Sequence, residues 1–129
     1  MQFHWSPEDV AFREQARRWL QAHVPREAAP HSGPASRDFA LAWQRQLHAA
    51  GWSGISWPVA YGGQGWSLER QMIWYEEYVA AGAPSPLNPG FVAHNHAGPT
   101  LIACGTEAQK AFHLPRILAG EVLWCQLFS

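Results

Sequence analysis

Cysteine and lysine are both scarce in this sequence of 129 residues. Its two cysteines, Cys104 and Cys125, form no Cys-x-x-Cys pair, so we expect neither a metal site nor a disulfide framework. Lys110 is the only lysine among nine basic residues, and the net charge is −1. This charge disfavours nucleic acid and anionic lipid as partners. Unpaired thiols are typical of a reducing compartment, so the sequence predicts a cytoplasmic protein.

Long hydrophobic runs are also missing. No stretch approaches the roughly 20 apolar residues that cross a bilayer, and the start, MQFHWSPED, lacks the basic and apolar regions of a secretion signal. Hydrophobic residues make up 47% of the sequence and charged residues 15%, with eight tryptophans. This composition provides enough apolar surface for one folded domain and predicts no membrane segment.

Apolar spacing and capping residues predict five helices. Ser6 and Pro7 begin the first helix, Ser67 caps the third, and Thr106 and Gln109 form a capping box that opens the last. The predicted helices span residues 6–23, from Ser36 or Asp38 to Gly51, 67–82, 91–104 and a short helix from 107, with a further turn from Pro115 to Leu118. The loop from Trp52 to Trp66 is predicted to be irregular and packed by aromatic rings.

Three finer expectations concern single positions. Glu76 and Glu77 are expected on the wet face of the third helix. Phe112 is expected to point inward, and Gly98 with Pro99 is expected to kink the fourth helix.

Residues 121–129, EVLWCQLFS, are β-branched, aromatic and aliphatic, and they have no helix start. They predict a β-strand without a partner strand in the sequence, and truncation is the simplest explanation for such an orphan. The predicted organisation is therefore a helical domain over 1–120 and the beginning of a second, β-rich domain over 121–129.

Five segments in one order resemble a known family. They are GWSGISWPVAYGGQGWS (51–67), EEYVAAGAP (76–84), GPTLIACGTEAQK (98–110), LPRILAGE (114–121) and WCQLFS (124–129). Together they resemble the N-terminal, all-α multihelical domain of acyl-CoA dehydrogenases. Because no single segment is decisive, the resemblance rests on their common order and spacing.

The resemblance implies an FAD enzyme that desaturates an acyl-CoA thioester at its α and β carbons. In the family, a carboxylate removes the α-proton and the β-hydrogen leaves as hydride to flavin N5. That carboxylate belongs to a later domain, so no catalytic residue is assigned here and the fragment alone is expected to be inactive. Electron-transfer flavoprotein as electron acceptor and a homo-oligomeric parent are implied in the same way.

The resemblance also implies a cofactor site. Gln126, Leu127, Phe128 and Ser129 match the segment beside the flavin ring, where the hydroxyl of Ser129 meets the polar edge of the ring. Ordinary strand packing is the alternative for Leu127 and Phe128.

The fourth helix matches the helix that lines the acyl tunnel in the family. Phe91, Val92, His94 and Asn95 are therefore expected to face substrate. The alternative is that an uncharged helix is simply buried and His94 is an ordinary core or surface group. His94 and His96 point about 200° apart on a helix, so they predict no metal site.

Two other classes of protein fit the same residues. One is an acyl-CoA oxidase or flavin monooxygenase on the same fold, which differs in how reduced flavin meets oxygen. The other is a helical interaction module without catalysis.

Overall fold

The computed structural model describes residues 5–127. It contains the helices α1 (Pro7–His23), α2 (Gly33–Ala49), α3 (Leu68–Ala80), α4 (Gly98–Cys104) and α5 (Glu107–Leu118), a 3-10 turn (Val59–Tyr61) and a π turn (Ala93–Ala97). No β-strand occurs among residues 5–127, so the all-α class is confirmed for that range. The chain forms two compact units, one made of residues up to Ala28 with Trp66–Pro84 and one of Ala29–Gly65 with the residues from Ser85 onward.

The predicted caps of three helices are confirmed. The Ser6 hydroxyl accepts a hydrogen bond from the Asp9 amide, and the Asp9 carboxylate accepts one from the Ser6 amide. Thr106 and Gln109 make the same reciprocal pair at α5, and the Ser67 hydroxyl accepts from the amide of Arg70 at α3. Each cap satisfies amides that have no partner inside the helix, which is why these helices begin where the sequence predicts.

In the first unit, α1 packs against α3 through an apolar seam. Its buried side chains are Ala16, Leu20, Ile73, Trp74 and Tyr78.

The expectation for Glu77 is wrong, because this acid is buried with a relative exposure of 5%. Its carboxylate accepts hydrogen bonds from Arg17 at 2.8 and 2.9 Å and from Arg13 at 3.0 Å. Two guanidinium groups from α1 therefore satisfy the acid where α1 covers α3. Glu76 is exposed, as expected.

In the second unit, a core cluster forms around α5. Trp57, Ala93, Leu114, Ile117 and Leu118 are its buried members. A polar contact fixes the end of α5 beside it, because the Leu118 carbonyl accepts from Gln44 Nε2 at 2.8 Å and from Ser53 Oγ at 3.2 Å.

Trp57 organises the irregular loop of this unit. Its backbone carbonyl and ring lie so close to Gly63 and Gly98 that a β-carbon would approach within 2.1 Å of the Trp57 carbonyl oxygen at Gly63 and within 2.0 Å of its ring at Gly98. These two glycines let loop and helix backbones reach the indole. The predicted aromatic loop is confirmed.

The start of α2 differs from the prediction. The helix begins at Gly33, and its N-cap Ser32 makes no side-chain capping bond. Pro34 occupies the first turn, where its fixed φ suits a helix and its missing amide costs nothing. The stretch from Arg26 to Pro34 is rich in Ala, Pro and Gly, a composition that favours a loop rather than a helix start.

The last helix, α5, is continuous through Pro115 rather than broken there. Leu114, Ile117 and Leu118 bury one face of its final turns, and this packing outweighs the lost hydrogen bond. Phe112 lies about 200° round the helix from Leu114 and is 58% exposed, so its inward prediction is wrong. Its ring instead faces the Arg116 guanidinium at 4.8 Å.

The orphan strand is absent in the described part, since residues 121–127 adopt irregular backbone. A strand requires a neighbour to bond its amides and carbonyls, and the described residues offer none. Val122 and Trp124 instead pack against the core cluster. The domain boundary predicted at Gly120 stays a prediction.

Within residues 5–127, no helix is long and apolar enough to cross a membrane.

Candidate functional site

The four residues predicted to face substrate lie on one short stretch of the second unit. Phe91 and Val92 form the helical residues that lead into the π turn, while His94 and Asn95 belong to that turn. π turns inside helices are frequent at functional sites because they redirect side chains and free backbone groups. The sequence predicted a kink here, and the structure provides the π turn.

Two local features produce the π turn. The amide of Gly98 donates to the carbonyl of Ala93, five residues back, and Pro99 has no amide to donate to Asn95. The His94 carbonyl, which Gly98 would bond in an α-helix, instead accepts from Trp57 Nε1 at 3.1 Å. The Trp57 indole therefore replaces the backbone hydrogen bond that the His94 carbonyl lacks in the π turn.

His94 is the most constrained side chain of the turn. Its Nδ1 lies 3.1 Å from the Gly90 carbonyl oxygen, and its ring centre lies 6.2 Å from that of Trp57. The Nε2 atom is buried and has no hydrogen-bond partner among the described residues. Burial lowers the pKa of His94, and the hydrogen bond to Gly90 opposes this shift without cancelling it.

The other three residues have different surroundings. Phe91 and Val92 are half-buried, and the Phe91 ring meets the His96 ring edge-to-face at 5.3 Å. Asn95 is exposed and its amide donates to the Phe91 carbonyl at 3.1 Å, so this side chain is partly used by its own helix. Their contact with substrate stays a prediction.

Sequence reasoning missed Trp57 and Gly90 as parts of this site. Trp57 fixes the backbone of the turn, and Gly90 is held by a hydrogen bond from its amide to Asn88 Oδ1 at 2.7 Å. The dipeptide Trp57-Pro58 is typical of a loop, but it gives no sign of the distant contact between Trp57 and His94. The Asn-Pro-Gly sequence before Phe91 was a usable signal, because such sequences form tight turns that position the next residue.

The residues predicted to bind cofactor are only partly described. Gln126 and Leu127 are exposed, Leu127 to 92%. Phe128 and Ser129 lie outside the described residues.

A cavity of about 400 Å³ lies elsewhere in the second unit, and none of the predicted site residues lines it. Lys110 borders it, but its ammonium donates to Glu107 at 3.0 Å and to the Tyr61 hydroxyl at 3.4 Å. These hydrogen bonds, that to Glu107 first, raise the pKa of Lys110. Two of the three N–H donors of this ammonium are therefore used within the protein.

All ten acidic residues fall within the described range, and Glu77 is the buried one. Two arginines hold it as an anion, and the hydrogen bond from Arg17 is the largest cause of its lowered pKa. Residues 5–127 also contain no group of three or more His, Cys, Asp or Glu side chains that could hold a metal ion.

Comparison with known proteins relates this arrangement to one family. The family model described as "Acyl-CoA dehydrogenase, N-terminal domain" matches residues 6–121. Acyl-CoA dehydrogenase IpdE1 of Mycolicibacterium smegmatis is 38% identical over 125 residues, which covers 92% of this chain and 31% of that protein. The chain thus spans about a third of the length of this relative.

Solved structures agree with the sequence match. The ChsE4-ChsE5 complex from Mycobacterium tuberculosis is similar with a TM-score of 0.71 and 32% identity, covering 95% of this chain and 30% of that one. The Tcur3481-Tcur3483 steroid ACAD is similar with a TM-score of 0.73 and 32% identity, and the match covers 95% of this chain and 32% of the chain in that structure. The chain belongs to the acyl-CoA dehydrogenase family, in which it corresponds to the N-terminal domain.

Proposed function

We propose that this domain serves an FAD-dependent acyl-CoA dehydrogenase, which introduces a double bond between the α and β carbons of an acyl-CoA thioester. The observation that carries the proposal is the family match over residues 6–121, which spans all five helices. Both solved neighbours support the same assignment through the fold. When bound, the flavin supplies the acceptor for the β-hydride.

In this proposal residues 126–129 meet the flavin. Gln126, Leu127, Phe128 and Ser129 are the residues that would hold the ring. Exposure of Gln126 and Leu127 fits this role, because neither side chain is committed to the core. The residues available are therefore compatible with the cofactor.

The π turn forms part of the wall for the acyl group in the same proposal. Phe91 and Val92 provide half-buried apolar surface, and His94 and Asn95 provide polar atoms beside it. Apolar walls with a few fixed polar groups are typical of sites for hydrophobic ligands. These residues bind and orient substrate; they transfer no proton.

The catalytic base comes from another part of the enzyme in this proposal. A base for this reaction must be an unpaired carboxylate near the substrate α-carbon. Glu77 is ion-paired, and the other nine acids are exposed or, in the case of Asp9, bonded within a helix cap. We therefore expect residues 1–129 alone to be inactive.

The neighbours narrow the proposed substrate and assembly. One is described as a steroid ACAD, and both are named as pairs of proteins. We accordingly propose a steroid-derived acyl-CoA as substrate and an oligomeric parent enzyme. Electron-transfer flavoprotein as the electron acceptor follows from the family resemblance alone.

Two preparations test the proposal. The protein from the complete reading frame that encodes this chain is expected to show flavin absorbance and to reduce an artificial acceptor when acyl-CoA is added. Residues 1–129 alone are expected to show neither signal, although circular dichroism should report helix.

Each rival gives a different result. A complete protein that binds no flavin and oxidises no acyl-CoA supports a helical interaction module and overturns the proposal. Rapid consumption of oxygen with hydrogen peroxide release supports an oxidase. Activity of residues 1–129 alone contradicts the assignment of the base to another part.

A further inference from the structure

The imidazole of His94 is held in one orientation and one protonation pattern. The Gly90 carbonyl, 3.1 Å from Nδ1, can only accept a hydrogen bond, so Nδ1 carries the proton. Gly90 is itself fixed by Asn88, and the His94 carbonyl is fixed by Trp57. Backbone and side chain of this residue are therefore both anchored.

This arrangement leaves Nε2 as a lone-pair acceptor. With the proton on Nδ1, the neutral ring can only accept a hydrogen bond at Nε2. Burial lowers the pKa of His94, which favours the neutral ring. The atom is buried, yet residues 5–127 offer it no donor.

A buried acceptor without a donor is unfavourable, and native proteins rarely retain one without a function. Here it coincides with a π turn, a second local irregularity that is itself frequent at functional sites. Both features involve His94. Trp57 holds the His94 carbonyl within the π turn, and the preceding turn holds the His94 ring through the Gly90 carbonyl. Together they indicate a donor that this part of the chain does not contain.

We propose that His94 Nε2 accepts a hydrogen bond from a hydroxyl group on the bound acyl moiety, which makes His94 a specificity-determining residue for hydroxylated acyl-CoA substrates. This inference rests on the proposed function. Thioester and ketone oxygens carry lone pairs only and cannot satisfy Nε2, whereas a hydroxyl can donate to it. The amide N–H groups of the CoA arm are the other donors of such a ligand, and a trapped water is a third.

The test compares acyl-CoA pairs that differ by one hydroxyl, in the complete flavin-loaded enzyme. One pair carries a steroid ring with and without a ring hydroxyl, and the other is decanoyl-CoA with and without a terminal hydroxyl. We expect the wild type to prefer the hydroxylated member of at least one pair by roughly 10-fold in kcat/KM, the size of one good hydrogen bond. Calorimetry with the α,β-unsaturated products should show the same preference in Kd.

Two variants connect this preference to His94. His94→Phe keeps a ring but removes both nitrogens, and it should abolish the preference, so that both members of the pair are oxidised with similar kcat/KM. His94→Gln places an amide oxygen at a similar reach and should retain part of the preference. His96→Phe is the matched control, because it makes the same substitution at an exposed position of the same turn.

The contrary outcomes are distinct. No preference in either pair, with normal oxidation of the deoxy members, overturns the inference and leaves the proposed function standing; the donor to Nε2 is then not the acyl group. An equal loss on both members in His94→Phe shows that the hydroxyl preference does not depend on His94 and also overturns it. Failure of the wild type to oxidise any of the four thioesters overturns the proposed function itself.

Discussion

The buried carboxylate of Glu77 shows how a neighbouring helix changes the surroundings of a residue. On α3 alone, the charge at this position predicts exposure to water. Arg13 and Arg17 are four residues apart on α1, so they lie on one face and reach the same carboxylate. Because the partners are some sixty residues away in sequence, the spacing on α3 gives no sign of them.

Glu77→Gln is expected to destabilise the domain by about 2 kcal/mol, because the variant loses charge-assisted hydrogen bonds in a buried site. Chemical denaturation at neutral pH measures the loss. Glu76→Gln is the control: Glu76 also pairs with Arg13 but is exposed, so its loss should be under about 1 kcal/mol. Equal losses would mean that burial does not strengthen the interaction.

The same ion pair predicts a pH dependence. Hydrogen bonds from Arg17 and Arg13 lower the pKa of Glu77 below its ordinary 4.5. The unfolded chain therefore takes up this proton at higher pH than the folded one, so the stabilisation is complete above about pH 4.5 and is lost as pH falls through the folded pKa. Melting temperatures between pH 3 and 6 should fall more steeply for wild type than for Glu77→Gln. Parallel curves would contradict this.

Gly98 gives a third prediction at the scale of one residue. An added methyl group meets the Trp57 ring at 2.0 Å, so Gly98→Ala should destabilise by about 1 to 3 kcal/mol despite the better helix propensity of alanine. Thermal unfolding measures the change. Thr100→Ala, at an exposed position of α4, should be close to neutral. A stabilised Gly98→Ala would mean that the indole moves away at little cost.

At the scale of helices, local signals predicted what depends on local physics. The capping residues at Ser6, Ser67 and Thr106 fixed three helix starts because a cap bonds amides two or three residues away. The continuous α5 was not predictable in this way, since the turn beyond Pro115 is held by the core cluster.

The candidate site was likewise predictable only where it depends on local sequence. The sequence placed Phe91, Val92, His94 and Asn95 on one element and expected an irregularity near Gly98. It did not predict that Trp57 would take over the freed carbonyl, because that contact joins positions 37 residues apart. The orientation of His94, and hence its buried and unpaired Nε2, follows from contacts that no periodicity encodes.

Two N-cap serines allow a matched test of local capping. Ser6→Ala removes the hydroxyl that accepts from the Asp9 amide and should cost about 1 kcal/mol. Ser32→Ala makes the same change at the N-cap of α2, where the hydroxyl makes no capping bond, and should be nearly neutral. Urea denaturation of both variants measures the difference. Equal effects would contradict the role assigned to the capping box.

At the scale of the whole molecule, residues 121–127 belong to the packed second unit although they form no strand. Val122 and Trp124 contact the core cluster, and the Trp124 ring meets the His113 ring edge-to-face at 5.1 Å. Their β-branched and aromatic side chains, which predicted a strand, pack on helices instead. Apolar residues specify burial, whereas the choice between strand and irregular backbone depends on a neighbouring strand.

Two truncations of the chain test this packing. Ending the polypeptide after Gly120 removes Val122 and Trp124 and should lower the free energy of unfolding by about 2 to 4 kcal/mol, because half-buried apolar surface is lost from the core. Ending it after Trp124 removes only exposed side chains from the described part and should change stability by less than about 0.5 kcal/mol. Guanidinium denaturation followed by tryptophan fluorescence measures both. If the shorter chain keeps full stability, the segment adds nothing to the helical domain, and the domain boundary predicted at Gly120 gains support.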